Sequence, residues 1–318
     1  MAFVMSGGTP VSAQPIKNSS ESLHSRYTLP PAVLRNSFQF AGEEIPLSRP
    51  DVHYRVVSQV NFLLLDARSV LTRWLVERSR HAWIFEAVFA KEGLPKDLAL
   101  LAPVLTGRKS GGPGRTGGVG WWTLSELCKT NDGLEMTQDS WHDDRWDLDL
   151  STRCFALQLK DIKKDLGDSG WFMSVAAYLS STKTIQTLKQ KWNTTVFWDL
   201  PLPEDVEDLV VRWVALGIID RNREHFGLKV KEAPPLAFDQ ISGVVLTKDL
   251  PLAEIARFTN TSPRLILELN PKIRPAKPLF PAVVDGKTVV HSFAAPRGKG
   301  RHLVEKLQEA GYLEKKKE

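Results

Sequence analysis

The chain has 318 residues, 42% hydrophobic and 25% charged, with a net charge of +5 at neutral pH. That allows one large domain or two medium ones of ordinary globular composition, and no apolar run reaches the roughly 18 residues a membrane-spanning helix requires. The basic excess suits an anionic partner such as a nucleic acid, a lipid surface or a cell-wall polymer, but at this size it carries little weight alone.

Residues 1–48 are rich in Ser, Pro, Asn and Gly with little periodicity and read as a leader and linker. Val11-Ser12-Ala13 has the small-residue character of a signal cleavage site, yet a basic start and a full apolar stretch are missing, so a partial secretory signal and a disordered tail are both open. From Val52 onwards Val56, Val60, Leu63, Leu64, Ala67, Leu71, Trp74 and Leu75 recur at helical spacing. A second helix is expected over 82–91, stopped by Gly93 and Pro95, and a third after Pro95, which must bend or end near Pro103. Further helices are expected at about 149–166, 171–180, 184–192 and 204–218, the last with Pro203 as its first residue. Pro234-Pro235 marks a boundary, after which the order is strand (243–247), helix (252–258), a helix over 263–269 capped by Ser262, and strand (288–294). The tail 314–318 reads as a solvated helix end.

The two cysteines, Cys128 and Cys154, are too few for a disulfide scaffold and too far apart for a metal site. They read as buried free thiols, with a single bridge as the alternative. Ten tryptophans are assigned mainly to the core, although sugar clefts also use Trp faces. Gly112-Pro-Gly-Arg-Thr-Gly117 matches the glycine spacing of a dinucleotide loop, but a helix precedes it and no parallel sheet follows. It reads as a surface loop with Arg108, Lys109 and Arg115 solvated. The acidic stretch Trp141–Asp149 lacks calcium-loop spacing and a second His four residues on. It reads as a helix entry, with Asp147 and Asp149 near the positive end and Arg145 pairing with them. No cofactor and no nucleic-acid partner is implied.

Several pieces recur in one order: Gly93-Leu-Pro-Lys-Asp-Leu-Ala-Leu-Leu101, Gly120-Trp-Trp122, Asp143-x-Arg145-x-Asp147, Ser151-Thr152, Trp171, Ala176-Ala-Tyr178 and Phe197-Trp-Asp-Leu-Pro-Leu-Pro203. Together they resemble the catalytic domain of lytic murein transglycosylases of the D type. The resemblance implies a mainly α, lysozyme-like transglycosylase (SLT) domain over 49–228. Residues 229–318, with Leu267-Glu-Leu-Asn-Pro271, resemble a small α+β LysM glycan-binding module with an unusually long loop from Lys272 to Lys287.

In the family a glutamic acid protonates the glycosidic oxygen and then takes a proton from the sugar's own hydroxyl, closing an anhydro ring. It stands seventeen residues before the Trp of Gly-x-Trp. That distance back from Trp122 lands on Leu105, with Thr106 in place of the partner serine. The Gln after Gly-x-Trp is Thr123, the Asn after Ala-Ala-Tyr178 is Leu179, and a Tyr expected in the helix after Phe-Trp-x-Leu is Leu209. The implied cleft lining is therefore Leu105, Thr106, Trp121, Trp122, Thr123, Tyr178, Leu179 and Leu209. Leucine has no proton to give, and general acid–base catalysis is worth ~10²–10⁴-fold. The expected function is a peptidoglycan-associated, non-cleaving relative of the transglycosylases in the periplasm or cell envelope, binding glycan strands or an envelope protein. The alternatives are an active enzyme with its acid relocated to Glu126 and a scaffold without glycan binding.

Overall fold

The computed structural model describes residues 27–35, 38–106, 118–130 and 133–313. The expectations placed on the first 26 residues, on the glycine-rich loop with Arg108, Lys109, Arg115 and Gly112–Gly117, and on the tail 314–318 lie outside the described residues. Among the described residues no helix is long and apolar enough to cross a membrane. A mainly α body is followed by a small α+β module.

The body opens with α1 (Pro31–Arg35) and a short antiparallel hairpin, β1 (Phe38–Phe40) and β2 (Glu43–Ile45). This part was expected to be linker, but Leu29, Val33, Phe38, Phe40, Ile45 and Leu47 are buried in the body's core. Strands of three residues are too short to leave an alternating pattern, so sequence spacing missed them. Next come α2 (Pro50–Asn61), a π-helical turn (Phe62–Asp66) and α3 (Arg68–Glu92). The break between the first two helices thus falls at 62–67 rather than between 75 and 82. The Ala67 N–H reaches back five residues to the Phe62 carbonyl, a bulge that needs no Gly or Pro to announce it. Gly93 ends α3 in the left-handed region (φ 72°), and the Leu94 N–H caps the Phe89 carbonyl at 2.8 Å.

A 3₁₀ turn (Lys96–Leu100) leads into α4 (Leu101–Thr106). Because the helix restarts at Leu101, Pro103 falls in its first turn, where its missing N–H costs nothing. The remaining body helices are α5 (Leu148–Asp165), α6 (Trp171–Leu179), α7 (Thr182–Trp192) and α8 (Glu204–Arg221), close to the expected spans. Pro203 is the cap of α8 rather than its first residue. The Asp147 and Ser181 side chains accept the free N–H groups at the starts of α5 and α7.

Trp213 of α8 is fully buried, with its ring 4.9 Å from Phe40 and 5.6 Å from Phe172. One helical turn on, Gly217 admits the Phe40 ring so closely that a Cβ would stand 2.1 Å from it. Gly217→Ala is therefore expected to destabilise the chain. The overpacking cost of about 1–3 kcal/mol exceeds the roughly 1 kcal/mol that alanine gains in helix propensity. A lower urea midpoint at unchanged slope checks this, and a higher midpoint would show that the hairpin yields.

The module pairs β3 (Phe238–Val245) with β8 (Val290–Pro296) antiparallel, from Phe238↔Pro296 to Val245↔Val290, with an irregularity at 241–244 where Gly243 takes φ 72°. Between them lie β4 (Leu250–Pro251), α9 (Leu252–Thr259), α10 (Pro263–Leu269), β5 (Leu279–Phe280), β6 (Val283–Val284) and β7 (Lys287–Thr288). Ser262 caps α10 as expected. A C-terminal helix, α11 (Gly300–Glu309), which sequence spacing had not marked out, buries Leu303 and Leu307 against this core.

The long loop after Lys272 is not idle. Ile273 and Phe280 are buried in the module core, and so is Trp141, which comes from the body. The Asp143 N–H donates to the Lys272 carbonyl (2.9 Å) and the Arg274 N–H to the Trp141 carbonyl (2.8 Å). Asn270, the Asn of the Leu267–Pro271 motif, is buried and holds the Ala294 backbone through both its side-chain groups (2.8 and 2.9 Å).

Candidate functional site

Leu105 lies on the last turn of α4 and is 5% exposed, packed in the body's core. Helix α8 packs against both α4 and α6, and it carries Leu209, also buried. Leu179, the last residue of α6, is half-buried against the same core. All three leucines therefore take part in one apolar core. The Thr106 hydroxyl turns back to donate to the Ala102 carbonyl (3.1 Å), so it serves its own helix.

The Gly120-Trp-Trp122 motif forms a tight turn. Val119 and Leu124 exchange backbone hydrogen bonds of 2.9 Å, and the Thr123 N–H returns to the Gly120 carbonyl at 3.3 Å. Gly120 has φ 76°, and a Cβ there would meet the Arg145 carbonyl oxygen at 2.0 Å, so only glycine fits. Thr123, a β-branched residue, is held at φ 51°, a rare and strained position. The turn sends its two indoles in different directions. Trp122 is fully buried, stacked on Phe155 at 4.3 Å, with its N–H donating to the Thr152 hydroxyl at 2.8 Å. Trp121 lies against His81 (4.8 Å) and Phe85 (5.6 Å).

Tyr178 of α6 closes this arrangement. Its hydroxyl donates to the Trp122 carbonyl at 2.6 Å, and burial pushes its pKa up, partly countered by a hydrogen bond with the Thr123 side chain. It is thus a neutral donor already occupied by backbone. The geometry makes Trp122, Thr123 and Tyr178 a structural clasp among aromatic rings.

The acidic stretch is wired differently from the sequence expectation. Arg145 pairs with Asp143 (2.8 Å), not with Asp147 or Asp149. The reason is local: the Asp147 side chain is taken by the N–H groups of Asp149 and Leu150, while both Asp143 oxygens face the guanidinium. The Arg145 guanidinium holds the Asp143 carboxyl below its usual pKa, although burial opposes this. Asp144 accepts from the backbone and hydroxyl of Thr137. Among the described residues no cluster of three or more His, Cys, Asp or Glu is placed to hold a metal ion.

The cysteines, read as free thiols, are joined: Cys128 and Cys154 form a disulfide with Cα atoms 5.8 Å apart. The bridge was the alternative reading. What decides it is that the turn after Trp122 brings the 124–128 segment back over α5, a proximity that 26 residues of separation do not reveal.

Glu126 is exposed on this segment. It lines neither of two hollows between body and module, and neither do Leu105, Leu179 and Leu209. The larger hollow, about 790 Å³, has Trp121 and Trp146 on one side with Glu77 and His81 of α3, and Arg264 and Lys272 opposite. Of the expected site residues it takes only Trp121. Glu77 and His81, 3.2 Å apart, were legible as an i, i+4 pair on a helix. Their meeting with residues nearly two hundred positions away was not.

No family model matches the chain. Two curated proteins do, both membrane-bound lytic murein transglycosylase D, from Escherichia coli strain K12 and from Escherichia coli O6:H1. The chain is similar to lytic murein transglycosylase D. The identity is 28% over 195 residues, which is 60% of this chain and 42% of each relative. The chain thus spans less than half the length of the curated relatives it matches. The likeness supports a transglycosylase-like reading of the chain.

Proposed function

We propose that this chain is a peptidoglycan-associated protein built on a transglycosylase-like body that does not cleave glycan strands. The observation that supports the reading is Leu105: the position that the resemblance matches to the family's proton donor holds a buried aliphatic side chain within the core. Leu209, buried in the same core, and Leu179 at its margin replace the polar groups expected to align the substrate. Tyr178, the polar residue retained, is committed to the Trp122 carbonyl. The exposed Glu126 side chain speaks against a carboxyl relocated there, because it stands in solvent and lines neither hollow.

The strand–helix–helix–strand order of the module supports a LysM-like glycan-binding role, and its Asn270 accounts for the motif residue in structural terms. The disulfide supports an oxidising location such as the periplasm or outer envelope. The partner in this reading is the glycan strand itself or an envelope protein.

The test is incubation of the purified chain with isolated sacculi. The protein is expected in the pellet, with no anhydro-ended muropeptides released by the wild type or by Glu126→Gln. Release by the wild type overturns the non-cleaving reading, and its loss in Glu126→Gln would move the acid to that residue.

A further inference from the structure

The smaller hollow between α3 and the module, about 570 Å³, has a composition unlike its neighbour's. Trp83 of α3 is 44% exposed there, its ring tilted at 6.0 Å from Phe238 of β3. Gln240 of β3 and Ser292 of β8 line the hollow too; the Gln240 amide donates to the Ser292 hydroxyl at 2.6 Å, and that hydroxyl shares a further hydrogen bond with Ser242 at 2.8 Å. Asp149 and Lys91 complete the body side.

Each feature has a chemical consequence. An indole left half in water keeps an apolar face free for a flat, partly apolar ligand. The amide and hydroxyl there offer donors and acceptors without charge. A lipid chain would find its apolar path interrupted by Gln240, Ser292 and Asp149. A nucleic-acid strand also stacks on Trp, but it needs a cationic track, and here Lys91 and Lys272 are matched by Asp147 and Asp149. A sugar ring, with an apolar C–H face and a rim of hydroxyl and amide groups, meets every one of these terms.

We propose that this hollow binds an uncharged strand of N-acetylated amino sugars, stacked on Trp83 and hydrogen-bonded by Gln240 and Ser292 across the junction of body and module. The identity of the strand rests on the peptidoglycan reading above. The site lies apart from the leucines at 105, 179 and 209, so it needs no open catalytic cleft.

Calorimetric titration of the full chain with the β-1,4-linked tetramer of N-acetylglucosamine tests this, alongside co-sedimentation with sacculi. Trp83→Ala is expected to weaken tetramer binding by about tenfold or more, as truncation of a central aromatic contact does. Trp83→Phe should recover part of it. Gln240→Ala with Ser292→Ala should weaken binding while leaving the Trp83 platform in place. Trp192→Ala, an exposed indole elsewhere (52%), should leave it unchanged. No tetramer binding by the wild type, or equal binding by wild type and Trp83→Ala, overturns the site, and wild-type protein in the sacculus pellet then shows that the broader functional reading survives. Wild-type protein missing from the pellet overturns that reading instead.

Discussion

Trp122→Ala is expected to cost about 3–5 kcal/mol of stability. The indole is fully buried, stacked on Phe155 and edged by Phe85 and Phe89 at 5.2 and 5.4 Å, so truncation opens a void among rings that cannot collapse. The loss of its N–H matters less. The Thr152 hydroxyl still donates to the Leu148 carbonyl at 2.6 Å and gives up only an incoming bond. Against a typical total of about 5–15 kcal/mol, this leaves the chain marginal. Trp122→Phe, which keeps a ring on Phe155, should lose distinctly less. Urea unfolding followed by far-ultraviolet circular dichroism measures both. A Trp122→Ala loss within about 0.5 kcal/mol, the scale of a surface change, would show that this ring is not part of the clasp.

Opening the Cys128–Cys154 bridge is the second large effect. Closing a loop of 26 residues removes unfolded-state freedom worth roughly 3–4 kcal/mol in the chain-entropy account. Cys128→Ser with Cys154→Ser, or the wild type under reductant, should melt several degrees lower. Under denaturing conditions the unreduced protein should show no titratable thiol. Two titratable thiols, or an unchanged melting temperature under reductant, would contradict the bridge. The consequence is local as well, because the bridge holds the segment after the Gly-Trp-Trp turn onto α5.

The body helices were legible because their apolar residues recur at helical spacing and some of their ends carry chemistry visible in one dimension: Gly93 after α3 and Asp147 before α5. What stayed hidden depended on partners distant in the chain. The π-helical turn at 62–66 carries no special residue. The hairpin at 38–45 is too short for a pattern, and its Phe40 explains Gly217, which in isolation looks like a weak point in α8. Arg145 was placed on Asp147 and Asp149 because four aspartates crowd this stretch, and only the backbone path shows that Asp147 is already engaged and that Asp143 is the partner. For the candidate site, the weight placed on Leu105 is what the family resemblance implies, not something that spacing by itself reveals. Its burial in the core, and the commitment of Tyr178 to a backbone carbonyl, required the neighbours. Trp83 was counted among ten tryptophans and nothing in its flanking residues set it apart. Its significance comes from strands that begin more than 150 positions later.

The hairpin at 38–45 has a practical consequence. Phe40 sits on Trp213, the Ala41 N–H is held by Asp97 at 2.9 Å, and Arg221 reaches the Gln39 carbonyl at 2.8 Å. The residues before α2 thus act as a stopper on the far end of the helical body. A fragment starting at α2 would leave the Trp213 indole and the Phe172 ring without the Phe40 cover, and such a fragment would be prone to clumping in solution for reasons unrelated to its biology.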